Sequence, residues 1–275
     1  MAFLINILLS WVRTMTFLVY LLVGSVAGLL AGLFGIGGGL VIVPVLVITF
    51  GLMGISENVL THMALATSLT TIIFTSLSSV KEHHNHGAVD WLLVRWIGSG
   101  IVVGTAIGVW ILAGVAGEHL QIAIGIFALV MAAKMAFDLN PSPNRQAPGS
   151  TGLLASGGLI GFGSAWFGIG GGSFTVPFLT WVNVPMKRAV ATAAACGLPI
   201  ALTGSVSNII TGWQHVDLPQ WTSGFVYWPA VVGIALTSVP FAKVGAKLAH
   251  KLDAKLLKRG FALLLLIVGL KFLFS

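Results

Sequence analysis

Apolar residues fill this chain in long unbroken runs, and polar residues fall between them. Runs at residues 16–34, 60–80, 91–113, 120–137, 190–210, 221–242 and 256–274 each reach or approach the about 20 residues that a helix needs to cross a bilayer. They are continuous rather than alternating, which argues for helices and against a β-barrel. The longest polar stretch, LNPSPNRQAPGSTG at 139–152, is rich in Pro, Ser and Gly and reads as a linker near mid-chain. The pattern predicts an all-α polytopic membrane protein with no soluble domain.

The two sides of the linker resemble each other. GIGGG at 35–39, followed by Pro44, returns as GIGGG at 168–172, followed by Pro177, an offset of 133. Ala66-Thr67 returns as Ala191-Thr192, and Val89-Asp90 as Val216-Asp217, at offsets of 125 and 127. The order is kept, and loop-length differences would give such a drift. Internal duplication is common in secondary transporters. It predicts a first repeat at 1–138, a linker at 139–151 and a second repeat at 152–275.

Composition agrees with a membrane protein. Of 275 residues, 57% are apolar and 8% charged, with a mean hydropathy of +1.01. The net charge of +7 sits in short loops, so it reads as topology rather than as a nucleic-acid surface. Cys196 is the only cysteine, which excludes an internal disulfide. The first 15 residues lack the pattern of a cleaved signal peptide.

Charge also orients the repeats. Lys243, Lys247, Lys251, Lys255, Lys258 and Arg259 mark a cytoplasmic loop. If each glycine motif is the tip of a helical hairpin, Lys81, Arg95, Lys134, Arg145, Lys187 and Arg188 fall on that same side. Glu57 and Glu118 then lie opposite, with Arg13 and Lys271 against the rule. If each motif merely breaks one crossing helix, Lys81, Arg95, Lys134 and Arg145 move outside. The hairpin reading is the better one. It predicts two inverted repeats of five membrane segments each, with both termini outside. The second hairpin arms are short, and whether they span or re-enter stays open.

Five-residue motifs with four glycines end a helix, because glycine costs backbone entropy there. Pro44 and Pro177 fit the first turn of the helix that follows. The free N–H groups of that turn, with the positive end of its dipole, make an anion site. The predicted substrate-binding set is Gly35, Gly37, Gly38, Gly39 and Leu40 at the first tip, with Gly168, Gly170, Gly171, Gly172 and Ser173 at the second. The amides expected to bind are those of residues 40–43 and 173–176. Close helix packing is the competing role for glycine, and the ridges Gly24-x3-Gly28-x3-Gly32 and Gly100-x3-Gly104-x3-Gly108 are assigned to it.

The duplicated G-x-G-G-G-x4-P, the repeated Ala-Thr-Ser/Ala stretch and the ending LLKRGFALLLLIVGLKFL resemble the sulfite exporter TauE/SafE family, also called the toluene-sulfonate uptake permease family. The resemblance covers essentially the whole chain. It implies movement of sulfur-containing anions such as sulfite, thiosulfate, sulfoacetate and other organosulfonates across the cytoplasmic membrane. Ala193 stands where the first half has Ser68, so the two half-sites differ there.

Thr67, Ser68 and Thr192 recur at matched places and join the substrate-binding set; the remaining span hydroxyls suit bonds to their own helices. Phe34, Trp166 and Phe167, just ahead of the tips, form a candidate apolar gate. KEHHNHG at 81–87 reads as a solvated loop rather than a zinc site. No cofactor and no metal are expected, and the partners are a small anion and the lipid bilayer. The leading function is a secondary transporter, with proton coupling and a potential-driven uniport both open. An anion channel remains an alternative. An intramembrane enzyme is a weaker one, because Cys196 has no His or Asp near it in sequence.

Overall fold

The computed structural model describes residues 2–34, 38–137, 148–248 and 255–274. They form ten helices: α1 (Ala2–Phe34), α2 (Gly39–Leu52), α3 (Glu57–Asn85), α4 (Trp91–Leu112), α5 (Gly117–Ala136), α6 (Ser150–Phe167), α7 (Gly172–Trp181), α8 (Met186–Thr211), α9 (Trp228–Leu248) and α10 (Lys255–Phe274). A two-residue antiparallel pair, β1 (Thr222–Ser223) with β2 (Val226–Tyr227), precedes α9. The run at 221–242 is therefore not all helix: its first seven residues make this turn, where Gly224 has a φ of 54°. Most of the predicted linker, residues 139–147, lies outside the described residues.

Six helices among the described residues are long and apolar enough to cross a bilayer, and large apolar side chains such as Leu22, Trp110, Leu159 and Val206 face outward. That exterior suits lipid.

Both glycine motifs turn the chain back on itself. The Tyr20 hydroxyl reaches the Met53 sulfur at 3.7 Å, so α2 runs back along α1. A methyl on Gly163 would stand 3.2 Å from the ring of Phe174, so α7 runs back along α6. The returning arms are short. With 14 and 10 residues, α2 and α7 are about 21 and 15 Å long. A hydrocarbon core is about 30 Å thick, so neither arm crosses it by length.

The proline positions need correction. Gly38 and Gly171 cap the returning helices, so Pro44 and Pro177 each stand sixth in their helix, in the second turn rather than the first. Each removes one internal hydrogen bond there.

Four helices of the first five pack chiefly on helices of the last five, while the short arms stay within their halves, α2 on α3 and α7 on α8. α1 lies along α9, α4 along α6, α3 along α8 and α5 along α10. Gly24 and Gly28 rest on the carbonyls of Ile234 and Ser238, and Gly157 and Gly161 rest on those of Ile97 and Ile101. The α1/α9 and α6/α4 pairs are thus parallel and make the same contact. The other two pairs are antiparallel: Thr70 meets Ser205 while Gly197 meets Ser76, and Gly125 meets Phe272 while Gly269 meets Leu129. The glycine ridges serve close packing, since no side chain fits between these backbones.

Candidate functional site

The tips are built by glycine conformations that other residues rarely adopt. Gly38 has a φ of 77° and Gly168 a φ of 60°, both left-handed. Gly168 ends α6, and the N–H of Ile169 reaches back to the Ser164 carbonyl at 3.1 Å, a Schellman-type stop.

The two tips meet. A methyl on Gly39 would collide with the Gly168 carbonyl oxygen and stand 2.7 Å from the Cα of Ile169. Residues 38–40 and 168–173 are buried. Val43 of α2 and Leu65 of α3 close over Gly168, while Ile200 and the Ala193 carbonyl of α8 close over Gly171. Gly35, Gly37 and the side chain of Phe34 lie outside what is described.

The free amides sit earlier than the sequence suggests. The N–H groups of Val41 and Ile42 both bond the Gly38 carbonyl, at 3.0 and 3.1 Å. Those of Phe174 and Thr175 bond the Gly171 carbonyl, at 3.3 and 2.7 Å. The capping glycine accepts these bonds, and the N–H groups with no partner among the described residues are those of Gly39 and Leu40 at one tip and of Gly170, Gly171, Gly172 and Ser173 at the other.

Ser68 donates its hydroxyl to the Gly168 carbonyl at 2.7 Å, tying α3 to the second tip. Thr67 accepts the Tyr227 N–H at 3.0 Å, and Thr192 accepts the Asp90 N–H at 3.1 Å. Tyr227 and Asp90 are the residues immediately before α9 and α4. The matched threonines therefore do the same work, each holding the start of a helix from the other half. Structurally Asp90 corresponds to Tyr227; the likeness of Val89-Asp90 to Val216-Asp217 has no such counterpart, since Asp217 lies in the loop ahead of β1 and accepts from Asn58 at 3.3 Å. Asp90 further accepts from the Leu93 N–H and pairs with Arg188 at 3.1 Å.

Of the candidate gate, Phe167 stacks flat on Phe127 of α5, with ring centres 4.0 Å apart, and Phe174 packs against both. Trp166 lies against Phe162 at 5.8 Å. These rings form an apolar wall beside the second tip. Among the described residues no group of three or more His, Cys, Asp or Glu side chains is disposed to hold a metal. His84 instead accepts from the Trp91 indole at 3.3 Å.

Buried polar atoms cluster on the second hairpin; Ser173 and Trp166 were expected at the site from sequence, Ser164 and Thr175 were not. Ser164 Oγ, Trp166 Nε1, Ser173 Oγ and Thr175 Oγ1 are shielded from solvent and have no hydrogen-bond partner among the described residues. Such atoms are rare in folded proteins and each calls for a reason. Ser173 and Thr175 stand in the first turn of α7.

Helices of membrane-crossing length define the class: this is an integral, multi-pass membrane protein. Residues 20–272 match the model of the sulfite exporter TauE/SafE family. The chain belongs to that family and is a membrane transporter of it. It is 39% identical to a probable membrane transporter protein of Haemophilus influenzae over 92% of this chain and 96% of that one. It is 30% identical to the probable membrane transporter protein YunE of Bacillus subtilis, over 95% and 98%. A probable membrane transporter protein of Methanocaldococcus jannaschii is 28% identical, over 91% and 92%. No solved structure matches the chain.

Proposed function

We propose that the protein is a secondary transporter of small sulfur-containing anions, sulfite, thiosulfate or organosulfonates, in the cytoplasmic membrane. The observation that carries this is the meeting of the two tips: two broken hairpins touch at Gly39 and Gly168, each with unbonded amides at the start of a returning helix. Unwound backbone at membrane depth is tolerated where it is buried in protein or lines a cavity. Each helix start presents about half a positive charge, which favours an anion. No lysine or arginine whose burial is described is buried, and backbone and hydroxyl dipoles supply a positive field at the tips.

The packing supports an inverted arrangement of residues 1–138 and 152–275. A two-fold axis in the membrane plane turns α1/α9 into α6/α4 and makes the self-matched pairs α3/α8 and α5/α10 antiparallel. An axis along the membrane normal would make those two pairs parallel. Hairpins entering from opposite faces then bring both tips to mid-depth, and alternating access exposes the seat to one face at a time.

The test is flux into proteoliposomes, with sulfite, thiosulfate, sulfoacetate, taurine and sulfate as the panel. Saturable, counter-exchanging uptake of a sulfur anion, abolished by Gly171→Val in protein that still inserts, supports the reading. Absence of flux for the whole panel refutes it, and single-channel currents would make the protein a channel.

A further inference from the structure

The two tips match in glycines and differ in the side chains that can bind. At the offset of 133, Ser164 corresponds to Ala31, Ser173 to Leu40 and Thr175 to Ile42. On the first hairpin Tyr20 reaches the Met53 sulfur at 3.7 Å, Ser25 bonds the Leu21 carbonyl at 2.9 Å, and Thr49 bonds that of Leu46 at 3.1 Å. On the second hairpin Ser173 is 4% exposed and Thr175 0%, and both hydroxyls are unpartnered. Thr175 Oγ1 stands 3.1 Å from where a methyl on Gly171 would be, so it is aimed at the helix start. The unbonded amides of Gly171, Gly172 and Ser173 lie at that same place. On α8, Gly197 leaves the Gly171 amide uncrowded: a methyl there would be 3.8 Å from its nitrogen.

We propose, resting on the transport reading above, that one substrate anion binds at the second tip alone, held by the Ser173 and Thr175 hydroxyls with the adjoining amides, and that it carries a single negative charge. The first tip supplies a wall, not a second seat. The charge limit follows from the donors. One helix start offers about half a positive charge, and the hydroxyls and amides are neutral. Within the class proposed above this selects monosulfonates and hydrogensulfite, which spread one charge over oxygens that these donors can reach, over the dianions thiosulfate and sulfoacetate. A sulfate dianion brings a second charge with no buried cation among the described residues to meet it.

The probes are methanesulfonate and sulfate, titrated calorimetrically against the full-length protein in nanodiscs. Methanesulfonate binds wild type, and sulfate binds at least about tenfold more weakly. Removing a hydroxyl donor to an anion weakens binding by about tenfold or more, so Ser173→Ala and Thr175→Val each raise the dissociation constant by that much. Thr175→Ser keeps the donor and restores affinity. Ile42→Val, at the matched place in the first hairpin, changes it less than about twofold if no hydroxyl acts there. The unliganded melting temperature of each variant separates lost binding from lost folding. If wild type binds methanesulfonate and the Ser173→Ala and Thr175→Val proteins, folded, bind it equally well, the seat is elsewhere. Equal affinity for sulfate overturns the charge limit. If wild type binds neither probe and carries none of the flux panel, the transport reading itself falls.

Discussion

Adding one methyl group at Gly39 tests the contact on which the site depends. In Gly39→Ala the new carbon would lie 2.7 Å from the Ile169 Cα, with the Gly168 carbonyl oxygen closer still. Carbon atoms rest at about 3.5–4.0 Å, so the tips must part by about 1 Å. Both contacting groups are backbone, which cannot swing aside as a side chain would. Overpacking of this kind costs about 1–3 kcal/mol, and a backbone clash belongs at the upper end. Alanine recovers up to about 1 kcal/mol by restricting the unfolded chain, leaving a net loss of about 2 kcal/mol. By the scaling for domains of this size, that lowers the melting temperature by about 4–8 °C. The assay is thermal unfolding in detergent, followed by sulfite flux in proteoliposomes. Gly98→Ala is the control. Gly98 is also buried in a helix, but its methyl would meet only Pro199 Cγ at an ordinary 3.7 Å, so stability holds or rises slightly. If Gly39→Ala melts with wild type and transports normally, the two tips are not in contact and the site as described is wrong.

Thr67→Val and Thr192→Val each leave a backbone N–H without its acceptor, and each should destabilise by about 1–3 kcal/mol; the thermal shifts should be alike, and a large difference would break the equivalence of the two threonines. Arg188→Met removes an ion pair whose side chains are 54% and 27% exposed, so the loss should stay under about 1 kcal/mol and vanish in high salt, as melting curves across a salt series will tell.

The apolar runs located seven of the ten helices because each run is continuous and ends in loop-forming or charged residues; α2, α6 and α7 were legible only as arms of the glycine hairpins. Residues 60–80 and 190–210 sit inside α3 and α8, and 91–113 matches α4 to within a residue. The turn at 222–227 escaped because Phe225, Val226 and Tyr227 read as part of an apolar span; the packing of Phe225 on Gly212 at the end of α8, and the bond from Tyr227 to Thr67 of α3, are tertiary matters. The tips were legible from repetition alone, since four glycines in five residues twice over have few purposes in a membrane helix. The roles of Thr67 and Thr192 were not, because their partners are backbone groups 160 and 102 residues away and a backbone N–H has no sequence signature. The unpartnered hydroxyls were visible in principle. Setting Ser173 beside Leu40 and Thr175 beside Ile42 exposes the difference, but the repeat draws attention to what the halves share.

The pairing of α1 with α9 has a consequence for how the molecule is made. The bare notches at Gly24 and Gly28 are finished once residue 34 has left the ribosome, yet their complement on α9 begins at residue 228. At ordinary synthesis rates that gap lasts roughly 10–40 s. Throughout it, a nascent helix carries a groove shaped for a partner that does not yet exist, and lipid or the insertion machinery must occupy it until the partner arrives.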